Sequence, residues 1–410
     1  MMTKEFDVAI AGAGPGGIAA ALKLAETNLS VVLLEKDVFP RDKICGDALS
    51  GKVLDALRII DPAYKESLYK FPEKLDTWGI RFFAPNKKAL DIPFYSKRTA
   101  ESRSPGFISK RIEFDSFLFE LIQQKKSIEI QQKFNAKEAR KEGNAWVLSD
   151  GKDEVRAKIV IAADGAQSRL SKLLAEEKMD KKHHSAGIRA YYKGVRGFNE
   201  ENFIELHYLK DLLPGYLWIF PLNKDMANVG LGMLSEHVSK HKINLKTKLH
   251  ELIENHPHLK ERFEGAEMVD SIKGFGLPLG SKKRKISGDN FMLVGDAASL
   301  IDPFTGEGIS NAMMSGIFAA KWAEKSLQDQ DQSANFFRDY DAEVYRRLGK
   351  ELDLSYKMQK LVRFPWLFNF IVNKANRNPS LRTMFTMMFE NLDIRKELSK
   401  PSFYWDLIFK

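Results

Sequence analysis

The segment from Phe6 to Glu35 reads FDVAIAGAGPGGIAAALKLAETNLSVVLLE, and the order of its residue types decides the fold. An apolar strand, Phe6 to Ala11, precedes a glycine-rich turn; a helix follows from Ile18 to Glu26, and a second apolar strand ends at Glu35. This order predicts a dinucleotide-binding βαβ unit whose helix N-terminus faces a pyrophosphate. A glycine turn in an α/β unit without a ligand is the alternative that this segment leaves open.

The glycines and the acid of this segment have separate roles in the prediction. Gly12 permits a tight turn, Gly14 lets the backbone approach the pyrophosphate, and Gly17 lets the helix pack closely on the strand. Glu35 stands where an acid accepts hydrogen bonds from the adenosine ribose. We therefore expect these four residues to belong to a cofactor site.

The composition of the 410-residue chain is that of a globular protein with two domains or one elaborated domain. The single cysteine, Cys45, excludes an internal disulfide, and the residues before the first strand contain no apolar signal region. No apolar run reaches the roughly 18 residues of a membrane span. We expect a cytoplasmic monomer without a bound metal.

The net charge of +9 indicates a partner of negative charge or a solvated surface. Nucleic acid is not expected, because no nucleic-acid motif accompanies the charge. A helical stripe in the C-terminal tail packs on the protein or faces a membrane. Its residues are Leu381, Met384, Phe385, Met388, Phe389 and Leu392. An anionic membrane surface, at the inner face of the cell membrane, is therefore a candidate partner.

Two segments combine residues of chemical interest. The loop after Glu35 contains Lys43-Ile44-Cys45-Gly46-Asp47, where the thiol either reaches the cofactor or is a small buried side chain. The segment Pro214-Gly215-Tyr216-Leu217-Trp218-Ile219-Phe220-Pro221 reads as a strand, on which Tyr216, Trp218 and Phe220 share one face. That face is core or the wall of an apolar ligand site.

Later strand–glycine junctions indicate that the cofactor domain is assembled from separated segments. An apolar strand ending at Ala162 leads to Asp164-Gly165, and the strand from Asn290 to Val294 leads to Gly295-Asp296. Asp296 can accept hydrogen bonds from the hydroxyls of a bound polyol chain. The turn from Gly306 to Ile309 offers backbone N–H groups at the start of a helix predicted from Ser310 to Ala320.

The three motifs, in this order, resemble the cofactor motifs of flavoproteins with the p-hydroxybenzoate-hydroxylase-type fold, and the resemblance covers nearly the whole chain. It implies non-covalent FAD, with Glu35 at the ribose, Arg111 in contact with the FAD, Asp296 at the ribityl chain and the Gly306–Ile309 turn at the isoalloxazine. Asp164-Gly165 is implicated in contacts to FAD and nicotinamide. The candidate cofactor-binding residues are Gly12, Gly14, Gly17, Glu35, Arg41, Cys45, Gly46, Arg111, Asp164, Gly165, Asp296, Gly306, Gly308 and Ile309.

The cysteine loop and the aromatic segment are similar to signatures of the geranylgeranyl reductase family. This resemblance implies the reduction of C=C bonds in prenyl chains, with electrons from NADPH or from a reduced ferredoxin or flavodoxin. The implied catalytic residues are Cys45, Tyr216 and Trp218. The implied substrate-binding residues are Pro214, Tyr216, Trp218, Phe220 and Pro221.

A flavin-dependent halogenase or monooxygenase on the same fold is the alternative function. Halogenases carry Trp-x-Trp-x-Ile-Pro where this chain has Tyr216-Leu217-Trp218-Ile219-Phe220-Pro221, so two of the four signature positions differ. The halogenase lysine also has no clear counterpart. A flavin-binding protein without catalysis would not explain the cysteine loop together with the aromatic wall.

The expected fold class is α/β, with a Rossmann-like FAD-binding domain, an inserted α+β substrate domain with a mostly antiparallel sheet, and a C-terminal helical region. The predicted FAD-binding domain comprises residues 1–72, 106–175 and 281–330. The substrate domain comprises residues 73–105 and 176–280, and the helical region comprises residues 331–410. Within the substrate domain, one long helical stretch is predicted from Lys246 to Phe263.

Overall fold

The structure is a computed structural model that describes residues 5–95 and 97–390, in which the chain forms three β-sheets and their surrounding helices. The strands are β1 (Glu5–Ala11), β2 (Val31–Glu35), β3 (Ala48–Leu49), β4 (Leu75–Thr77), β5 (Gly79–Phe83), β6 (Ala89–Pro93), β7 (Gly106–Ile108), β8 (Ile128–Gln132), β9 (Glu138–Glu142), β10 (Ala145–Ser149), β11 (Glu154–Ala162), β12 (His184–Lys193), β13 (Ile204–His207), β14 (Tyr216–Pro221), β15 (Met226–Leu234), β16 (Glu267–Met268), β17 (Lys273–Pro278), β18 (Ser287–Gly288) and β19 (Phe291–Leu293). The helices are α1 (Pro15–Leu24), α2 (Gly51–Ile60), α3 (Pro62–Lys70), α4 (Arg111–Gln123), α5 (Leu170–Ala175), α6 (Ser235–His241), α7 (Leu245–Asn255), α8 (Pro257–Phe263), α9 (Ile309–Gln328), α10 (Ala334–Leu361), α11 (Pro365–Arg377) and α12 (Pro379–Glu390). Short 3-10 turns lie at Lys181–His183, Lys210–Leu212 and Gly295–Ala298.

The first sheet carries the glycine motifs. Its parallel strands run in the order β19-β11-β1-β2-β8, with β18 antiparallel at one edge and the β9–β10 hairpin paired to the first half of β11. Parallel strands covered on both faces are apolar throughout, and every residue of β2 is buried. Because β1, β11 and β19 are parallel, the segments containing Gly12, Gly165 and Gly295 leave the sheet at the same edge.

Glycine is required where helices α1 and α9 approach each other and the sheet. A Cβ added at Gly17 would lie 1.9 Å from the carbonyl oxygen of Gly12, and one added at Gly316 would lie 2.1 Å from that of Gly16. Real Cβ atoms do not come this close to backbone oxygens. The N-terminal and late segments therefore meet through backbone rather than through interposed side chains.

The second sheet has the strand order β16-β12-β15-β14-β13-β5-β6, with β17 also paired to β12, and its pairs are antiparallel except for β13 with β5. One face packs on α7 and α8, through residues such as Leu249 and Leu259. The other face carries Leu206, Trp218 and Phe220. The small third sheet, β3-β7-β4, is antiparallel.

The predicted fold class is confirmed: a Rossmann-like sheet of separated segments, a mostly antiparallel second sheet and C-terminal helices are all present. The prediction of one helical stretch from Lys246 to Phe263 was wrong in its continuity, because α7 ends at Asn255 and α8 begins at Pro257. Proline has no N–H to continue a helix and disfavours a helical conformation at the preceding residue. His256 accordingly has extended backbone angles, φ −75° and ψ 119°.

The C-terminal helices pack against the second sheet and leave some aromatic residues exposed. Leu381, from the predicted apolar stripe, is buried, and the other members of that stripe lie outside the side chains that the structure describes. Exposed aromatic residues occur earlier, at Phe364, Trp366 and Phe370. Across residues 5–95 and 97–390, every helix is too short or too polar to cross a membrane.

Candidate active site

A single cavity of about 1630 Å³ joins the glycine motifs of the first sheet to the aromatic face of the second. This volume exceeds the roughly 300–1,000 Å³ of an ordinary small-molecule pocket. The predicted residues that line it are Gly12, Gly14, Glu35, Arg41, Cys45, Gly46, Arg111, Asp164, Gly165, Tyr216, Trp218, Phe220, Asp296, Gly306, Gly308 and Ile309. Three other predicted residues, Gly17, Pro214 and Pro221, do not line it. The cavity has room for a dinucleotide and an apolar substrate side by side.

The N-terminus of α1 provides an anion site that fits the pyrophosphate of FAD. Its N-cap residue, Gly14, makes no side-chain capping bond, so the first N–H groups of the helix remain available to a ligand. A Cβ added at Gly14 would have no atom within 4 Å, and the same is true of Gly165 at the end of β11. The protein thus leaves open space in front of two of its glycine turns. A bound phosphate group needs such a space beside the backbone.

Buried charges surround the part of the cavity next to the first glycine turn. The Glu35 carboxylate accepts hydrogen bonds from the backbone N–H groups of Ala13 and Asp37, at 3.0 and 3.1 Å. Arg41 donates to Glu35 and to Asp115, at 3.3 and 2.5 Å, and so links the acid at the end of β2 to helix α4. Each carboxylate oxygen can accept two hydrogen bonds, so the Oε1 atom of Glu35 retains one acceptor site that a ribose hydroxyl could use.

Arg111 is held in place by a neighbouring carboxylate on its own helix. It is almost completely buried, and its guanidinium makes two hydrogen bonds to Asp115, at 2.7 and 2.8 Å. Burial opposes its positive charge, but the Asp115 carboxylate outweighs this, and the pKa of Arg111 is raised above its usual value. The Cys45 side chain also interacts with this guanidinium. Arg111 therefore presents a fixed positive charge beside the cysteine loop.

The two aspartates of the later motifs have different surroundings. Asp296 lies 3.1 Å from the Nζ atom of Lys43, and this ion pair joins the cysteine loop to the Gly295–Ala298 turn. Asp164 instead accepts hydrogen bonds from the backbone N–H groups of Arg169 and Leu170, close to the start of α5. Burial raises the pKa of the Asp164 carboxyl. Its side chain organises the turn, and Gly165 faces the cavity.

The aromatic wall is formed by Tyr216, Trp218 and Phe220 on β14, which share one face as predicted. The Tyr216 hydroxyl donates a hydrogen bond to the carbonyl oxygen of Thr305, in the turn that precedes α9. Burial raises the pKa of the Tyr216 phenol further above its usual range, with Asp302 and Cys45 contributing. Tyr216 therefore stays protonated, and its proton is directed at a backbone carbonyl.

The cysteine loop is anchored by Asp47, which is fully buried. Its carboxylate accepts hydrogen bonds from the Tyr191 hydroxyl at 2.8 Å, the Asn228 amide at 2.7 Å and the backbone N–H of Arg111 at 3.2 Å. Burial raises the pKa of Asp47 to about 6, although these hydrogen bonds and Arg189 act in the opposite direction. The loop is thus tied to the second sheet through a buried acid.

Sequence reasoning missed several residues of this site. The motif of the cysteine loop contains Asp47, but the sequence assigns this residue no role in the site. Asn228 gives no sequence signal other than being the polar residue of an apolar strand. Helices α10 and α11 also line the cavity. They contribute Leu354, Met358, Leu361, Leu367, Phe368 and Ile371. A helical apolar stripe alone could not show that these side chains face a cavity rather than solid core.

Family models match both parts of the site. Residues 185–275 match a model described as the geranylgeranyl reductase catalytic domain, and residues 7–41 match an FAD binding domain. The first match contains the aromatic wall, and the second contains the first glycine turn and Glu35. These family matches support the predicted FAD cofactor independently of the cavity geometry.

Relatives cover almost the whole chain. A digeranylgeranylglycerophospholipid reductase from Methanocella arvoryzae is 30% identical, covering 96% of this chain and 95% of the relative. A digeranylgeranylglycerophospholipid reductase 2 from Methanosphaera stadtmanae is 31% identical, covering 84% of each chain. A solved geranylgeranyl bacteriochlorophyll reductase-like protein from Thermoplasma acidophilum is 25% identical, with a TM-score of 0.79, covering 97% of this chain and 99% of that one. A flavin-dependent brominase with a TM-score of 0.73, at 21% identity and covering 97% and 100%, shares the fold.

We expect Gly14→Val to abolish flavin binding without destabilising the flavin-free protein. The backbone angles of Gly14, φ −78° and ψ 179°, suit valine, and the added methyl groups enter the open space before α1. Flavin released on denaturation and the melting temperature of the flavin-free protein measure the two effects. Gly17→Val is the contrasting variant, because its Cβ meets the Gly12 carbonyl and should lower the melting temperature itself. Full flavin occupancy in Gly14→Val would contradict the pyrophosphate site.

We expect Asp47 to make stability fall as the pH rises from about 4.5 to 7. Its pKa is about 6 in the folded protein, above the ordinary value of 3.8, so between these values the folded state holds a proton that the unfolded chain has released. The free energy of unfolding of the wild type, minus that of Asp47→Asn, should therefore decrease by about 2 kcal/mol over this interval. Urea unfolding of both proteins at several pH values measures the difference. A difference that is constant with pH would show that Asp47 does not titrate there.

Proposed function

The chain belongs to the geranylgeranyl reductase family of FAD-dependent oxidoreductases, and we propose that its substrate is a digeranylgeranyl glycerophospholipid whose prenyl double bonds it reduces. Family membership confirms the prediction of an FAD-dependent reductase that acts on prenyl chains. The lipid class is inferred from the relatives, which are digeranylgeranylglycerophospholipid reductases. The observation that carries the proposal is the continuous cavity from the first glycine turn to an apolar wall.

The apolar part of the cavity suits a long hydrocarbon chain. One wall is Tyr216, Trp218 and Phe220 of β14, and another is formed by helices α10 and α11. Burial of apolar surface contributes roughly 25 cal/mol per Å² to the free energy of binding. A prenyl chain can therefore be bound without a hydrogen bond to the protein. Polar residues also line the cavity, among them Glu35, Arg111 and Asp296.

The residues around the double bond have distinct proposed roles. Reduction adds one hydride and one proton to the alkene, and FAD in its reduced form would supply the hydride when bound. Trp218 and Tyr216 present ring faces that stabilise developing positive charge by roughly 0.5–2 kcal/mol each. The proton comes from Cys45 or a bound water, because the Tyr216 hydroxyl is engaged with Thr305. NADPH or a reduced ferredoxin or flavodoxin stays the proposed electron donor.

The halogenase or monooxygenase alternative receives less support. The brominase and halogenase structures are similar to this chain at 15–21% identity, which reports the fold alone. The wall sequence from Tyr216 to Pro221 departs from the halogenase signature. A reductase has to pass its electrons to an alkene rather than to oxygen, and the apolar wall suits that task.

The reductase proposal predicts that anaerobic enzyme, reduced with dithionite, is reoxidised by a prenyl glycerophospholipid. The product should gain two hydrogen atoms per reduced bond by mass spectrometry, and chloride or bromide should have no effect. Trp218→Ala should slow reoxidation about 2- to 30-fold with FAD still bound, because it removes a ring face of roughly 0.5–2 kcal/mol. Trp146→Ala is the matched control, since Trp146 does not line the cavity. Reoxidation by oxygen alone, with incorporation of oxygen or halogen, would overturn the proposal.

We also propose that the protein meets its lipid at an anionic membrane surface, at the cytoplasmic face, through helix α11. One side of this helix lines the cavity with Leu367, Phe368 and Ile371. Trp366, on the same helix, is 68% exposed, and Phe370 is 38% exposed. The last turn of α11 carries Lys374 and Arg377. Exposed aromatic residues insert at the bilayer interface, and basic residues are attracted to anionic lipid.

The membrane proposal predicts binding of the FAD-loaded protein to anionic vesicles in a flotation assay, weakened by salt and absent with zwitterionic vesicles. The double variant Trp366→Ala with Phe370→Ala should reduce the bound fraction several-fold, because it removes the exposed rings and leaves the charge unchanged. Leu173→Ala, an exposed apolar residue on α5, is the control and should bind as the wild type does. Equal binding by the double variant would exclude α11 as the contact, and no binding at low salt would exclude the surface altogether.

A further inference from the structure

Asn228 is a completely buried polar residue in the apolar strand β15. A buried amide is tolerated only where its hydrogen-bonding groups are satisfied. Its carbonyl oxygen accepts a hydrogen bond from Nε1 of Trp218 at 2.9 Å. Its amide nitrogen donates to the carbonyl oxygen of Cys45 and to the Asp47 carboxylate, both at 2.7 Å. One side chain therefore joins the aromatic wall to the cysteine loop.

The strand pairing explains why Trp218 faces this amide. In the β14–β15 register, Trp218 lies opposite Gly230 and Phe220 lies opposite Asn228, so Trp218 and Asn228 are diagonal neighbours on one face. A Cβ added at Gly230 would lie 2.3 Å from Cζ2 of Trp218, which shows that the indole ring occupies the space above this glycine. Gly230 makes room for the ring, and Asn228 determines which edge of the ring points along the strand.

The cysteine loop packs against the same edge of the wall. A Cβ added at Gly46 would lie 2.9 Å from Cε2 of Phe220 and 3.6 Å from Nε1 of Trp218. The loop backbone therefore lies in direct contact with the wall. The two hydrogen bonds donated by the Asn228 side-chain amide hold Cys45 and Asp47, on either side of Gly46. A change at Asn228 would release the loop and the indole together.

We propose that Asn228 is a positioning residue of the reductase. Its amide sets the orientation of the Trp218 ring and the position of the Cys45 thiol relative to each other, and thereby determines how a double bond is presented between them. The proposal rests on the proposed function for the statement that a prenyl chain occupies this space. Asn228 itself does not line the cavity, so it acts through Trp218 and Cys45 rather than on the substrate.

Because Cys45 is the only cysteine of the chain, its alkylation reports on the loop without any substrate. In the FAD-loaded protein, Asn228→Leu keeps a side chain of similar size but removes both bonds to the loop. Iodoacetamide should then modify Cys45 about tenfold faster than in the wild type, because the loop opens more often once its two hydrogen bonds to the amide are lost. Ser287→Ala is the matched control, because it removes buried hydrogen bonding away from the cavity, including the bond to the Phe337 carbonyl oxygen. Its alkylation rate should equal that of the wild type.

A second variant separates positioning from folding. Trp218→Phe keeps an aromatic ring but lacks the N–H group that donates a hydrogen bond to Asn228. With a prenyl lipid, Asn228→Leu and Trp218→Phe should shift the proportions of partially reduced products in the same direction, and the double variant should resemble either single variant rather than their sum. FAD content should be unchanged in all three. Product proportions are a ratio, which a general loss of folded protein would not alter.

Wild-type alkylation rates in Asn228→Leu would overturn the proposal whatever the substrate is. If Asn228→Leu does not fold, the proposal is still tested by Trp218→Phe, and it fails if that variant shows the product proportions and the Cys45 alkylation rate of the wild type. Failure of the proposed function has a different signature: no lipid reduction by the wild type, with alkylation still accelerated in Asn228→Leu. That result would retain Asn228 as the residue that joins the wall to the loop.

Discussion

The close backbone contact between helices α1 and α9 is the constraint on which the cofactor site depends. Gly16 on α1 and Gly316 on α9 leave no room for a side chain between the helices. This contact brings the turn before α9 to the sheet edge where Gly12 begins the first glycine turn. Parallel strands bind ligands outside their carboxyl ends, and here three such ends come from segments far apart in the chain. The site therefore cannot form until the N-terminal and late segments have packed together.

Charged contacts then connect this site to the second sheet. Arg189, which is completely buried on β12, pairs with Asp42 at 2.8 Å and with Asp270 at 2.6 Å. The Lys43–Asp296 pair and the hydrogen bonds to Asp47 lie in the same region. Ion pairs add little net stability, because desolvation or solvent screening offsets their attraction. We attribute to them instead the fixed position of the cysteine loop between the glycine turns of the first sheet and the aromatic wall.

The fold could be predicted because its signals are local. A strand, a glycine turn and a helix are adjacent in sequence, so the junctions at Gly12, Asp164 and Asp296 could each be recognised separately. The break at Pro257 was also a local signal, and the prediction of one helical stretch gave it too little weight. The domain boundaries and the roles assigned to individual site residues stay predictions, because they depend on which ligand atoms each residue meets.

The missed residues depend on contacts that no single segment contains. Asn228 becomes significant only when the strand register places it beside Trp218 and the loop at Cys45 packs above it. Sequence spacing gives the face of a strand, but it does not give the partner that covers that face. The same holds for Leu367 and Phe368, whose helical spacing fits a solid core as well as the cavity wall where the structure places them.

An isolated alkene offers no group to which a protein can donate or from which it can accept a hydrogen bond. A site that reduces one double bond of a long chain must therefore select it by shape, and shape is selective only if the walls are rigid. In this protein the polar groups of the wall form hydrogen bonds to other groups of the protein. The Tyr216 hydroxyl donates to the carbonyl oxygen of Thr305, and the Trp218 indole donates to the side chain of Asn228. If the proposed substrate site is correct, hydrogen bonds that in other enzymes orient the substrate here orient the wall residues instead.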